Sequence, residues 1–169
     1  RTVEMLKGAM DELRLGDPWT LSTDIGPIID GKARDKIEAY VAARTAEGRL
    51  VHRLRVPAQG IFVPPTLLGV GGIEDIPEEI FGPVLHVARY EARDFDRVID
   101  AINAAGYGLT FAIHSRIAAR LERAADRVRA GNVYVNRNQI GAVVASQPFG
   151  GEGLSGTGPK AGGPHYLGR

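Results

Sequence analysis

The chain has 169 residues, 44% apolar and 24% charged, with a formal net charge of +1 at pH 7. This ordinary globular profile gives no reason to expect nucleic acid or an anionic membrane as partner. There is no cysteine, which excludes disulfides, zinc–thiolate sites and a thiol nucleophile within this segment. No apolar run reaches the ~18 residues of a membrane span and no signal peptide is evident, so a soluble, cytoplasmic protein is expected.

Val3, Leu6, Met10 and Leu13 share one helical face and predict a helix over 3–15, with Gly16 as its C-cap and Asp17-Pro18 turning the chain away. The chain thus starts almost at once in a helix, which suggests a cut edge. Asp30 can cap a second helix over 31–47, striped by Ile37, Tyr40 and Val41 and stopped by Gly48. Residues 50–54, 61–63 and 66–70 are strand candidates, and Pro64-Pro65 must end the second because proline cannot donate to a ladder.

From Pro83 onward the rhythm is regular. Residues 84–90 predict a strand, and Asp94 caps a helix striped by Phe95, Val98, Ile99 and Ile102 and stopped by Gly106. Residues 109–114 predict a strand, and Ser115 caps a helix striped by Ile117, Leu121, Ala125 and Val128 that Gly131 stops. Residues 132–136 predict a last strand. Strand–helix–strand–helix–strand with short links reads as half of a doubly wound α/β sheet, mainly parallel with helices on its faces. In such sheets ligands bind beyond the carboxyl ends of the strands, the edge from which the loop at Arg137 departs.

Glycines crowd the C-terminal part of the chain. Gly151-Glu152-Gly153-Leu154-Ser155-Gly156 matches the dinucleotide fingerprint letter for letter. The fingerprint works only between a strand and a helix N-terminus, and Thr157-Gly158-Pro159 cannot carry that helix. A Walker phosphate loop over 153–160 also fails, because Pro159 intrudes and Ala161 stands where Ser or Thr must hold magnesium. The remaining reading is a long coil packed on the sheet edge. His52, His86, His114 and His165 show no metal-ligand spacing, and core or surface roles are expected. Lys160 reads as a solvated lysine.

Pro77-Glu78-Glu79-Ile80-Phe81-Gly82-Pro83-Val84 places a carboxylate and an aromatic ring two residues apart on a turn before a strand. Such a pair suits a dinucleotide, the carboxylate accepting from ribose hydroxyls and the ring lying against nicotinamide. On residue types alone, a solvated Glu and a core Phe are the simpler reading. This octapeptide resembles the signature of the aldehyde dehydrogenase superfamily, as do 62–68 (FVPPTLL), 108–112 (GLTFA) and 147–151 (QPFGG) with Ser155-Gly156, in the same order. The wording of 131–164 resembles most the L-glutamate γ-semialdehyde (Δ1-pyrroline-5-carboxylate) dehydrogenase part of the bifunctional proline utilization A proteins.

The resemblance implies an NAD-dependent oxidation of L-glutamate γ-semialdehyde to L-glutamate in proline catabolism. Glu79 would bind the nicotinamide ribose and Phe81 would lie beside the nicotinamide. Residues 138–142 would anchor the far carboxylate of the substrate, with successive amides at Gly141 and Ala142 forming a nest for an anion. Arg137 is a rival anchor, since a guanidinium grips carboxylates bidentately. Phe149 would wall the aldehyde pocket, with a packed core ring as its alternative. The family attacks the aldehyde with a cysteine thiolate assisted by a glutamate base. With no cysteine here, residues 1–169 are expected to be the C-terminal part of the catalytic domain. No catalytic residue or metal ligand then falls in this chain, and the nucleophile and cofactor domain lie upstream.

The full-length protein is expected to be a homo-oligomer acting on a small molecule, and FAD enters only if a proline dehydrogenase domain is fused upstream. Two alternatives stay open at this point: an aldehyde dehydrogenase of another substrate class, and a non-catalytic carboxylate-binding descendant.

Overall fold

Asp30 opens the longest helix among the described residues, its carboxylate accepting from the Ala33 amide at 2.7 Å. The computed structural model describes residues 1–141, 143 and 145–168, and the chain divides into two units, Arg1–Arg89 and Tyr90–Arg169.

The first unit contains α1 (Thr2–Asp11), α2 (Gly31–Ala46) and a sheet of β1 (Leu50–Arg53), β2 (Thr66–Gly69) and β3 (Val84–Val87). α1 is shorter than its apolar stripe predicts. The Asp24 carboxylate takes the Arg14 amide at 2.9 Å, and the Arg14 carbonyl accepts from both Asp24 and Ile25. Leu15 then pairs with Ile25 in a bridge, which leaves no backbone to extend the helix. β2 is the central strand, antiparallel to β1 and parallel to β3. Thr66, Leu67 and Leu68 on it are all buried, the signature of a strand covered on both faces. Ile37 and Val41 of α2 form the core with Val63, and Ile28, Tyr40, Ile80 and Val84 pack against it.

The strand expected at 61–63 does not form. Val63 is spent as a core plug at 2% exposure, and the Ile61 carbonyl accepts from the Ile28 amide at 2.7 Å. With Pro64-Pro65 next, the segment has too few free amides to join a ladder.

The second unit contains α3 (Phe95–Ala104), β4 (Tyr107–Gly108), β5 (Thr110–Ile113), α4 (Ala118–Arg127), β6 (Asn132–Val135) and β7 (Glu152–Gly153). β5 and β6 pair in parallel, from Thr110 opposite Asn132 to Ile113 opposite Val135, with α4 as the connection. β4 and β7 pair antiparallel. The α/β character therefore holds, but the sheets are mixed, and β3 bonds to β2 in the first unit rather than continuing the parallel series predicted from Pro83.

Two caps differ from the sequence expectation. Asp94 makes no side-chain cap on α3. Ser115 accepts from the Ile117 amide at 3.1 Å, one turn ahead of α4 instead of inside it. Asp96 and Asp100 on α3 face Arg123 and Arg127 on α4 in a ladder of ion pairs. Past the end of β6, Asn136 adopts φ 55°. Its side chain accepts from the Ser115 amide at 2.9 Å and donates to the Ser115 carbonyl at 3.1 Å.

The glycine-rich coil after β6 packs backbone against backbone. A Cβ on Gly131 would lie 1.7 Å from the Gly150 carbonyl oxygen, so only glycine lets the coil cross the start of β6. Lys160 is part-buried and donates its ammonium to the Gly131 carbonyl. The expectation of a solvated lysine is thus corrected: its stem runs across Gly150 and straps the coil to the strand.

Candidate functional site

A cleft of about 640 Å³ opens in the first unit between the N-terminal turns of α2 and the turn that precedes β3. Pro27, Ile28, Ile29 and Ile80 make its walls apolar, and Lys36, Glu79 and Phe81 bring the polar and aromatic groups. The turn is held by hydrogen bonds from the Gly82 amide to the Ile80 carbonyl and from the Val84 amide to the Gly82 carbonyl. It lies so close to α2 that a Cβ on Gly82 would sit 2.5 Å from Ile37 Cδ1. Ile80 points into the core. Its neighbours Glu79 and Phe81 are exposed, Phe81 at 86%.

The two adjacent glutamates are differently committed. Glu78 receives the Lys36 ammonium at 3.1 Å, whereas among the described residues Glu79 has no hydrogen-bond or ion-pair partner. An apolar-walled cleft with an unengaged carboxylate and a ring held in solvent fits a ribosyl-nicotinamide group, whose hydroxyls need an acceptor and whose ring needs a face. The structure thus brings Glu79 and Phe81 together, and it does not use Phe81 as the core residue that residue type alone favoured. Lys36 is a cleft residue that the sequence reading missed. Its only signal was its place one position before Ile37, on the helix face beside the apolar stripe.

Below this cleft α2 is tied to β3 by Tyr40 and His86, whose Oη and Nε2 lie 2.9 Å apart with the rings edge to face. Burial, and then the nearby Arg44 guanidinium, hold the His86 imidazole below its ordinary value, which favours the neutral ring.

In the second unit the loop after β6 carries the remaining candidates. Gly141 has φ 21°, and a Cβ there would meet nothing within 4 Å, so space lies open beside its backbone. Ala142 lies outside the described residues. Phe149 is half-buried and its backbone pairs with Ala161 in both directions, at 3.0 and 2.9 Å. Arg137, the rival anchor, is laid over the Tyr134 ring at 4.5 Å and donates to the Asn138 carbonyl at 3.2 Å. A guanidinium held in this way is less free to grip a substrate.

The fingerprint-like glycines do not form a phosphate cradle. Glu152 and Gly153 are a strand paired to β4, the Ser155 hydroxyl accepts from the Gly108 amide at 3.1 Å, and among the described residues no helix follows. The four histidines are dispersed, and among the described residues no group of three or more His, Cys, Asp or Glu could hold a metal ion. His52 pairs instead with Asp11 at 2.6 Å. No helix of the described residues is long and apolar enough to cross a membrane.

The profile of the aldehyde dehydrogenase family matches residues 1–169. The chain is 50% identical over 174 residues to the bifunctional protein PutA of Klebsiella aerogenes, covering 98% of this chain and 13% of that protein. It is 44% identical over 170 residues to a 1-pyrroline-5-carboxylate dehydrogenase of a Geobacillus species, covering 99% of this chain and 32% of that protein.

Among solved structures, a mutant of Bradyrhizobium japonicum proline utilization A matches at TM-score 0.94 and 51% identity, over 99% of this chain and 17% of that one. The 1-pyrroline-5-carboxylate dehydrogenase from Thermus with bound NAD matches at TM-score 0.85 and 36% identity, over 98% of this chain and 32% of that one. The chain therefore spans between 13% and 32% of the length of these relatives.

Proposed function

Because the chain belongs to the aldehyde dehydrogenase family, we propose that it is the C-terminal part of the catalytic domain of an NAD-dependent enzyme that oxidises L-glutamate γ-semialdehyde to L-glutamate in proline catabolism. The likeness to PutA and to 1-pyrroline-5-carboxylate dehydrogenases supports the substrate class, and an NAD-bound relative supports the cofactor. The observation that carries the reading is the cleft in which Glu79 has no partner among the described residues while Phe81 stands 86% exposed.

NAD supplies the hydride acceptor when bound. Glu79 holds the ribose hydroxyls, and Phe81 gives the nicotinamide an aromatic face and keeps water from it. The amides of Gly141 and Ala142 receive the carboxylate remote from the aldehyde, an anion site that needs no cation. Phe149 walls the aldehyde pocket. The thiolate that attacks the aldehyde and the base that later activates water belong to the rest of the enzyme, since this segment holds no cysteine. A fused proline dehydrogenase domain would add FAD. The whole protein is read as a cytoplasmic homo-oligomer.

Two measurements on the full-length enzyme test the reading. Glu79→Gln weakens a charge-assisted hydrogen bond and should raise KM for NAD by about tenfold and slow hydride transfer, with the aldehyde KM little changed. Wild-type kcat/KM should favour glutamate semialdehyde over an uncharged aldehyde of equal length. An unaltered NAD response in Glu79→Gln removes the cofactor assignment, and equal kcat/KM for the two aldehydes removes the substrate assignment.

A further inference from the structure

Arg137, Gly141 and Gln147, spread along the loop that leaves β6, converge on a single side chain. Tyr134 is 5% exposed. Its hydroxyl accepts from Gln147 Nε2 at 2.7 Å and lies 3.5 Å from the Gly141 carbonyl, to which it donates. The face of its ring carries the Arg137 guanidinium at 4.5 Å. The loop's first residue, its middle and its last residue are therefore gathered around one buried tyrosine. Asn132, two positions earlier and so on the same strand face, continues the attachment. It donates to the Pro148 carbonyl at 3.0 Å and accepts from the Gly150 amide at 3.3 Å.

A backbone anion nest binds well only if its amides already point inward, because ordering a loop at the moment of binding subtracts from affinity. We propose that Tyr134, through Gln147 and the Gly141 carbonyl, is a positioning residue that presets the Gly141 loop for a carboxylate-bearing aldehyde. It thereby sets specificity for charged over neutral substrates. The inference rests on the reading of that loop given above. Tyr134 is buried and acts through the loop. By taking up the Gly141 carbonyl, it fixes the backbone at the middle of the loop. The ring, with Arg137 stacked on it, supplies the mass around which the loop is wrapped, and the hydroxyl supplies its register.

The test uses the full-length enzyme and steady-state kinetics with glutamate semialdehyde, an uncharged aldehyde of equal length, and NAD. Tyr134→Phe keeps the ring and removes the hydroxyl; Gln147→Leu removes the partner and leaves Tyr134 intact. Each should raise KM for glutamate semialdehyde about fivefold, with the neutral aldehyde and NAD changing less than twofold. The double variant should be no worse than the more affected single one, because the two groups act as a unit.

Equal losses on both aldehydes in the variants would make Tyr134 a general structural residue and overturn the proposal. Wild-type preference for the charged aldehyde that survives undiminished in both variants would overturn it while leaving the substrate reading intact. No preference in the wild type would overturn the substrate reading and this inference with it.

Discussion

Gly131→Ala is the sharpest test of how the C-terminal coil is held. The added methyl would start 1.7 Å from the Gly150 carbonyl oxygen and 3.0 Å from Gly151 Cα. Both are backbone atoms that cannot rotate aside, so the coil must retreat by about 1.5 Å to reach ordinary van der Waals separation. The Gly150 amide is already 3.3 Å from Asn132 Oδ1, and that bond does not survive such a shift. The strap from Lys160 to the Gly131 carbonyl is pulled in the same direction. Losing one neutral and one charged hydrogen bond, together with residual overpacking, amounts to about 3 kcal/mol of local stability.

Hydrogen exchange on the full-length protein reads this directly. The Phe149 and Ala161 amides, which bond to each other's carbonyls, should exchange about a hundredfold faster. Gly8→Ala is the control: a Cβ there meets nothing within 4 Å and lies inside α1. It should stabilise that helix by about 1 kcal/mol and leave the two reporter amides untouched. Unchanged protection of Phe149 and Ala161 in Gly131→Ala would refute the packing argument.

Two other perturbations probe the first unit. His86 has its folded value lowered from the ordinary 6.5 by burial and then by Arg44. The unfolded chain therefore takes up a proton first as pH falls, and stability present above pH 6.5 declines below it, toward the lowered folded value. His86→Gln should flatten that part of a thermal-stability profile; an equally steep profile would remove His86 as its source. Asp30→Ala removes the cap on Ala33 and should cost α2 about 1 kcal/mol. Because Ala33, Lys36 and Ile37 line the cleft, NAD affinity should fall alongside thermal stability, and loss of stability with unaltered affinity would separate the helix end from the cofactor.

Much of this architecture was legible because the signals were local. The Asp30 cap, the stop at Gly48 with φ 76° and the stop at Gly106 with φ 79° each concern a few consecutive residues, and the structure keeps them. The failures share a different cause. α1 ends early because of Asp24, ten residues beyond Arg14. The strand at 61–63 is lost to a core contact with α2. Lys160 finds its carbonyl 29 residues upstream. Each is decided by a partner that no window of the sequence contains.

The site divides in the same way. Glu79 and Phe81 were found as a pair because a motif places them on one turn. Lys36 belongs to the same cleft through a helix face some forty residues away, and Tyr134 reads in the sequence as one more aromatic in a strand. A motif can nominate contact residues, but not the neighbours that hold them still.

The side chain of Asn136 has a consequence of another kind. By accepting from one Ser115 backbone group and donating to the other, its carboxamide impersonates a peptide unit and adds one more rung after β6 has ended. The real peptide at this point, at φ 55°, is released to change direction. A sheet edge is thereby finished by a side chain while the main chain departs, and the choice of residue is narrow. An aspartate of the same size would satisfy the Ser115 amide but offer nothing to its carbonyl. The loop that carries Gly141 thus begins from a rung whose chemistry only an amide completes.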